Sequence, residues 1–152
     1  LNIDSGLVIL DQAATAAKAE RNKLQEARAY FYIARYNVRR NTLHLGLEYY
    51  RKSHTVFTEL GDAHRANACI YEMGNCYTHL GMENEALELY LESLHYMESR
   101  NDSLGDNNVT GLLTNIASIY TKLHNDSLGI TYLRRALDLA LTCLFAPLWL
   151  LQ

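Results

Sequence analysis

The chain has 152 residues, 49% of them hydrophobic, and a formal net charge of −3. This length and composition are sufficient for one domain with a continuous core. The chain contains one proline and eight glycines. These are low counts, and together with the many leucine, alanine, glutamate, tyrosine and arginine residues they favour an all-helical protein.

Charge is distributed unevenly along the chain. Residues 21–52 contain eight Lys/Arg against two Asp/Glu, whereas residues 53–108 contain two Lys/Arg against ten Asp/Glu. A basic first third beside an acidic middle indicates two electrostatically distinct surfaces. Because the basic block is balanced by an acidic one and no recognition helix stands out, direct contact with nucleic acid is not predicted.

The residue types that carry chemistry do not occur at diagnostic spacings. Cys69 and Cys76 are seven residues apart, which on a helix is about 10 Å and too far for a disulfide. They are interpreted as core residues in a reducing compartment, so a cytoplasmic location is expected. No Cys/His ligand spacing, nucleophile–base pair or phosphate loop stands out. The sequence therefore predicts no cofactor, no metal site and no enzymatic activity.

The hydrophobic pattern predicts a single helix near residues 5–20, followed by three helix pairs. The first helices of the pairs are expected near 24–40, 65–80 and 108–123, and the second helices near 43–60, 83–99 and 126–144. Turn residues separate these segments, and Gly81 is expected to end the first helix of the central pair. Asp62 is a predicted N-cap, and either Asn125 or Asp126 is another.

Small residues recur along the predicted helices. Second helices carry them at Gly6, Gly46, Ala86 and Gly129, with spacings of 40, 40 and 43 residues, and first helices carry them at Ala34, Gly74 and Ala117. In each pair the two small residues are expected to face each other, so that the backbones cross closely. One pair cannot bury its apolar face alone, which predicts stacking of neighbouring pairs into a right-handed superhelix.

The central pair resembles the tetratricopeptide repeat. The matching residues are Ile70, Met73-Gly74, Tyr77, Gly81, Ala86 and Tyr90. The pair around Asn115-Ile116-Ala117 matches well, and the first pair matches less closely. The usual unit has about 34 residues, and the longer spacing here resembles signalling-type repeats, including those of bacterial regulators. The resemblance implies an all-α, right-handed solenoid of antiparallel helix hairpins.

This resemblance also implies a domain organisation. Residues 1–144 are expected to form the array, with a half-repeat over 1–22 and repeats over 23–61, 62–104 and 105–144. Residues 145–152 are expected to form an apolar C-terminal tail. The apolar stretch from Leu139 to Leu151, interrupted by Thr142 and Pro147, is too short to span a bilayer.

In such arrays the first helices line a concave face that binds peptides, so the resemblance implies a site on that face. The predicted peptide-binding residues are Arg28, Arg35 and Arg39 on the first such helix, Tyr71, Asn75 and His79 on the second, and Asn115 and Lys122 on the third. Phe31, Glu72, Ser118 and Thr121 are expected on the same faces.

These residues have different expected roles. In signalling-type repeats an asparagine before an Ile-Ala pair grips the peptide backbone, which implies this role for Asn115 and a second grip for Asn75. The alternative is that Asn115 bonds a neighbouring helix and Asn75 faces water. The three arginines form a stripe suited to an acidic segment. Alternatively they belong to a solvated face with Glu26 nearby.

The tyrosines are expected mainly in the core, with one group left open. Core positions are predicted for Tyr49, Tyr50, Tyr77, Tyr90 and Tyr120. By contrast, the stretch YFYIARY, with Tyr30, Tyr32 and Tyr36, places an aromatic residue on nearly every side of one helix. Some of these rings must be exposed unless another helix covers them.

The resemblance implies a protein- or peptide-binding scaffold, the interaction or sensor region of a larger regulatory protein. The alternative is a structural oligomerisation or spacer module without a peptide ligand. In that case the terminal repeats, with the apolar stretch CLFAPLWLL, would form a surface between copies of the chain.

Overall fold

The computed structural model describes residues 3–100 and 107–149, and over these ranges it consists of seven α-helices without a strand. The helices are α1 (Ile3–Ala19), α2 (Lys23–Arg39), α3 (Leu43–Glu59), α4 (Ala63–His79), α5 (Glu83–Ser99), α6 (Asn107–Lys122) and α7 (Asp126–Trp149). The predicted order of one helix and three pairs is confirmed. The last helix continues past residue 144, where it was expected to end. Of the predicted tail, residues 150–152 and the side chains from residue 143 onward lie outside what the structure describes.

The chain forms two units, Leu1–Met82 and Glu83–Gln152. In unit 1, α1 packs on α2, α2 on α3, and α3 on α4. In unit 2, α5 packs on α6 and α6 on α7.

Regular turns join the helices of unit 1. Each of α1–α4 has 17 residues, and three residues separate each helix from the next. The middle residue of each turn is left-handed, with φ of 55° at Arg21, 61° at Asn41, 69° at Gly61 and 71° at Gly81. This conformation closes the end of each helix, and at Arg21, Asn41 and Gly61 it also reverses the chain within unit 1. The prediction for Gly81 is confirmed.

Side-chain caps begin three of the helices. The Asp62 carboxylate accepts from the Arg65 backbone N–H at 3.0 Å, as predicted. At the start of α7 the cap is Asn125, whose Oδ1 accepts from the Leu128 backbone N–H at 3.3 Å, while Asp126 is already the first helical residue. Asn22 caps α2 in the same way at 3.2 Å. Each cap satisfies a backbone donor that the helix itself leaves unpaired.

Within each unit the small residues face each other as expected. A Cβ added to Gly46 on α3 would lie 2.7 Å from Val38 Cγ2 and 3.4 Å from the Ala34 carbonyl oxygen on α2. On α7, a Cβ at Gly129 would lie 3.0 Å from Thr121 Oγ1 and 3.3 Å from the Ala117 carbonyl oxygen of α6. Both hairpins therefore cross where side-chain volume is least.

The core of unit 1 forms where α2, α3 and α4 meet. Its buried cluster contains Ala27, Val56, Phe57, Ala66 and Cys69. The buried Ser53 hydroxyl donates to the Ala27 carbonyl at 2.8 Å and joins α3 to α2. The Arg51 guanidinium donates to the Tyr77 hydroxyl at 2.7 Å and joins α3 to α4.

The aromatic stretch of α2 is partly covered by α1. Tyr30 packs against the buried cluster of Ala14, Ala29 and Ile33. Tyr36 is half-buried, with its Cε2 3.6 Å from the position of a Cβ on Gly6. Tyr32 remains 46% exposed. One helix thus covers two of the three rings and leaves the third at the surface.

We expect Gly46→Ala to destabilise the protein and Gly111→Ala to stabilise it. Both changes replace a glycine within a helix by alanine. Without new contacts, this replacement raises the free energy of unfolding by about 0.5–1 kcal/mol. At Gly46 the new methyl meets a β-branched side chain and backbone, and overpacking costs about 1–3 kcal/mol. At Gly111 nothing lies within 4 Å of the new atom.

The free energy of unfolding, measured by urea denaturation, tests this pair. A gain in stability from Gly46→Ala equal to that from Gly111→Ala would contradict the close crossing of α2 and α3.

Candidate functional site

The predicted arginine stripe lies on the exposed face of α2. Arg28, Arg35 and Arg39 are all exposed, and their spacing of seven and four residues places them on one side of the helix. None makes an ion pair with another described residue. The carboxylate of Glu26, which the alternative interpretation places near the arginines, is buried and accepts from the Tyr30 hydroxyl at 3.1 Å, with Lys23 Nζ at 3.6 Å.

A pocket of about 330 Å³ opens beside the start of this stripe. It is lined by Arg28, Phe31 and Tyr32 of α2, Phe57 of α3, and Arg65 and Ala68 of α4. Of the predicted residues it therefore brings together Arg28 and Phe31.

Two kinds of contact hold the side chains that line the pocket: contacts between aromatic rings, and an ion pair. Phe31 lies edge-on to Tyr50, with ring centroids 5.3 Å apart, and to Tyr32 at 6.1 Å. The Arg65 guanidinium pairs with the Asp62 carboxylate and lies 6.0 Å from the centre of the Phe57 ring. Arg65 is thus held in place, whereas Arg28 makes no ion pair with a described residue.

Four pocket residues, Tyr32, Phe57, Arg65 and Ala68, were not among the predicted site residues. The repeat contained a signal for one of them. Ala68 lies 40 residues after Arg28, so it takes the equivalent position on α4, and its small side chain leaves space there. Arg65 follows the cap residue Asp62 by three positions, which is a local ion-pair spacing.

The predicted residues of α4 lie on the equivalent face of that helix. Tyr71 and Asn75 are half-buried and His79 is exposed. The Asn75 side-chain amide donates to Glu72 Oε2 at 3.1 Å. The alternative interpretation expected Asn75 to face water. Its amide is instead hydrogen-bonded within α4.

The predicted residues of unit 2 lie on α6. Asn115 is half-buried and already has an interaction partner. Lys122 Nζ lies 3.6 Å from Glu83 Oε1 at the start of α5. Lys122 therefore differs from the three arginines of α2, because its charge is paired within the protein.

The described cysteines are buried and free. The Cys69 thiol donates to the Ser53 hydroxyl at 3.5 Å. Burial raises the pKa of Cys69 and of Cys76 to about 11, so neither is a nucleophile near neutral pH. Within the described ranges, no group of three His, Cys, Asp or Glu side chains is placed to hold a metal ion, and no helix is long and apolar enough to cross a membrane.

Solved structures share this fold. BtubC (BKLC) from P. vanneervenii matches with a TM-score of 0.73 at 16% identity, over 91% of this chain and 57% of its own. A putative kinesin light chain from Podosopora anserina with nearly identical TPR-like repeats matches with a TM-score of 0.71 at 13% identity. The match covers 91% of this chain and 67% of that chain. MamA matches with a TM-score of 0.62 at 13% identity, over 91% of this chain and 78% of its own.

These similarities confirm the predicted fold, an all-α repeat of the tetratricopeptide type. At such identities they are evidence of the fold alone. The chain spans little more than half the length of the BtubC structure that it matches. No protein-family model matches the sequence, and no curated protein is significantly similar to it.

We expect Cys69 and Cys76 to resist thiol reagents in the folded protein. Raising a thiol pKa from 9.0 to about 11 lowers the thiolate fraction at pH 8 about 100-fold, and burial also blocks access. The measurement is the rate of reaction with Ellman's reagent in a Cys143→Ser variant, with the same variant in urea as the control. Rapid labelling of the folded variant would show that the thiols are accessible.

Proposed function

We propose that this protein is a non-enzymatic scaffold that captures an acidic peptide segment of a partner protein on α2 and α4 of unit 1. The observation that carries this proposal is the row of three arginines, unpaired among the described residues, beside a pocket of about 330 Å³. In this mode of recognition, one side chain of the peptide binds in the pocket and the acidic residues beside it pair with the arginines.

The arginines set the length and charge of the segment. From Arg28 to Arg39 is eleven residues of helix, or about 16 Å along its axis. An extended peptide covers that distance with about five residues. Carboxylates within such a segment would be paired by guanidinium groups that have no carboxylate partner among the described residues, which avoids breaking existing ion pairs.

The pocket supplies an anchor for one side chain of the segment. Its volume is near the lower end of ligand pockets, which suits a single apolar or aromatic side chain. Phe31, Tyr32 and Phe57 offer ring surfaces to such a group, and contacts with Tyr50 and Arg65 hold the Phe31 and Phe57 rings in position. Preordered walls reduce the entropy cost of binding.

Asn75 and Asn115 remain candidates for holding peptide backbone, each within its own unit. The Asn75 side-chain amide already donates to Glu72, and Asn115 also has an interaction partner. Peptide binding by Asn75 would therefore require its amide to exchange Glu72 for the peptide, which lowers the gain from the new hydrogen bonds. The arginine stripe is consequently assigned the larger share of the affinity.

The setting of this scaffold is proposed from the sequence. The resemblance to repeats of bacterial regulators supports a role as the interaction or sensor region of a larger regulatory protein. Buried, unpaired thiols at Cys69 and Cys76 are in keeping with a reducing, cytoplasmic compartment.

A peptide array provides the test. Acidic peptides containing one aromatic residue are expected to bind, and the same peptides with Asp and Glu replaced by Asn and Gln are expected not to. For a binding peptide, Arg35→Glu should raise Kd about 10-fold, because an attraction becomes a repulsion. The effect should weaken as salt is added.

Lys18→Glu on α1 is the matched control, because it makes the same charge change at another exposed position. Asn115→Ala is measured alongside to test the contribution of unit 2. Binding that is insensitive to both Arg35→Glu and Arg39→Glu, or that survives the neutral peptide series, would rule out capture by the α2 stripe.

A further inference from the structure

The last helix exposes a continuous row of large apolar side chains. Ile130, Leu133, Leu137 and Leu141 are 51%, 48%, 57% and 41% exposed. Spacings of three, four and four residues place them on one face of α7. This set of four residues is called the α7 stripe below. Such a contiguous apolar surface is typical of an interaction site rather than of a solvated helix.

The equivalent surface of α3 is buried against a neighbouring helix. The sequence LGLEYYRK at residues 45–52 corresponds to LGITYLRR at 128–135, so Leu47 and Tyr50 correspond to Ile130 and Leu133. Leu47 is 5% exposed and Tyr50 is 1% exposed. The helix α4 covers this side of α3, and the hydrogen bond from Arg51 to Tyr77 joins the two helices. No described helix of unit 2 covers the α7 stripe.

The neighbouring side of α7, about 100° around the helix from the stripe, is already occupied by α6, which fixes the orientation of the stripe. Gly129 approaches the Ala117 carbonyl, the Tyr132 ring stacks on Tyr120 at 5.5 Å between centroids, and Ala136 is 5% exposed. The helix therefore cannot rotate to bury its stripe against its own unit without losing this packing.

Charged residues beside the stripe are complementary to a second copy of the same helix. Arg134 and Asp138 lie one turn apart on the edge of the stripe away from α6, and neither makes an ion pair with a described residue. In two antiparallel helices that cross at residue 136, Arg134 of one copy lies opposite Asp138 of the other. The two-fold symmetry forms this pair twice, once at each end of the crossing.

We infer that the α7 stripe is a homodimer interface in which the α7 helices of two copies pack antiparallel, crossing near Ala136. Ile130, Leu133, Leu137 and Leu141 form its apolar centre, and the two Arg134–Asp138 pairs set its direction. The interface lies in unit 2, and its inference does not rest on the function proposed for the arginine stripe of α2.

Sedimentation equilibrium tests the dimer. The protein is expected to dimerise at concentrations of about 10–100 μM, as a small symmetric interface should. Leu133→Glu/Leu137→Glu should be monomeric with unchanged helix content by circular dichroism. The matched control, Val8→Glu/Ile9→Glu, alters two exposed apolar residues of α1, 53% and 63% exposed, and should still dimerise. A monomeric wild type, or a dimer lost only in the control, would overturn the proposal.

Charge exchange tests the antiparallel arrangement with variants that leave the apolar residues intact. Arg134→Asp and Asp138→Arg should each raise the dimer Kd about 10-fold, because each creates two like-charged contacts. The combined variant should recover the wild-type Kd, since both pairs are restored with reversed sign. A combined variant that dimerises more weakly than either single variant would exclude the antiparallel crossing.

Discussion

The close crossing of helix backbones at facing small residues is the constraint on which the other features depend. Gly46 meets the Ala34 carbonyl in unit 1, and Gly129 meets the Ala117 carbonyl in unit 2. With no side chain between the backbones, the large side chains lie on the flanks of the crossing, where Tyr50 and other buried residues fill the space. The buried side of α2 is thereby fixed, and the arginines on its opposite side necessarily face solvent.

Similar sequence patterns serve different purposes in the two units. The helices α3 and α7 share a glycine, a following tyrosine and paired basic residues at equivalent positions. In α3 the apolar side chains next to these become core because α4 lies over them. In α7 the same positions remain at the surface. Burial in a repeat protein thus depends on the neighbouring helix as much as on the residue itself.

Local features were predictable from the sequence, and longer-range pairings were not. The Asp62 cap, the Gly81 turn and the hairpin crossings follow from short patterns and a fixed repeat spacing. The cap at Asn125 rather than Asp126 is a one-residue difference that composition does not resolve. Pairing of Lys122 with Glu83 joins residues on separate helices, so only the packed unit reveals it. The pocket likewise is lined by residues of three helices. The repeat spacing identifies the position of Ala68, but the combination with Phe57 and Arg65 is visible only in the packed unit.

The uniform length of the helices and turns in unit 1 has an evolutionary consequence. Because each helix of 17 residues is followed by a three-residue turn with its left-handed residue in the middle, one helix and its turn always make a module of the same length. If two successive modules are lost or duplicated, the new junction falls in a turn of the same length and conformation as the original one. The alternation of first and second helices is then preserved. Unit 1 can therefore change in length by recombination without a new connection, and each such event adds or removes one exposed helix face on which binding residues can diversify.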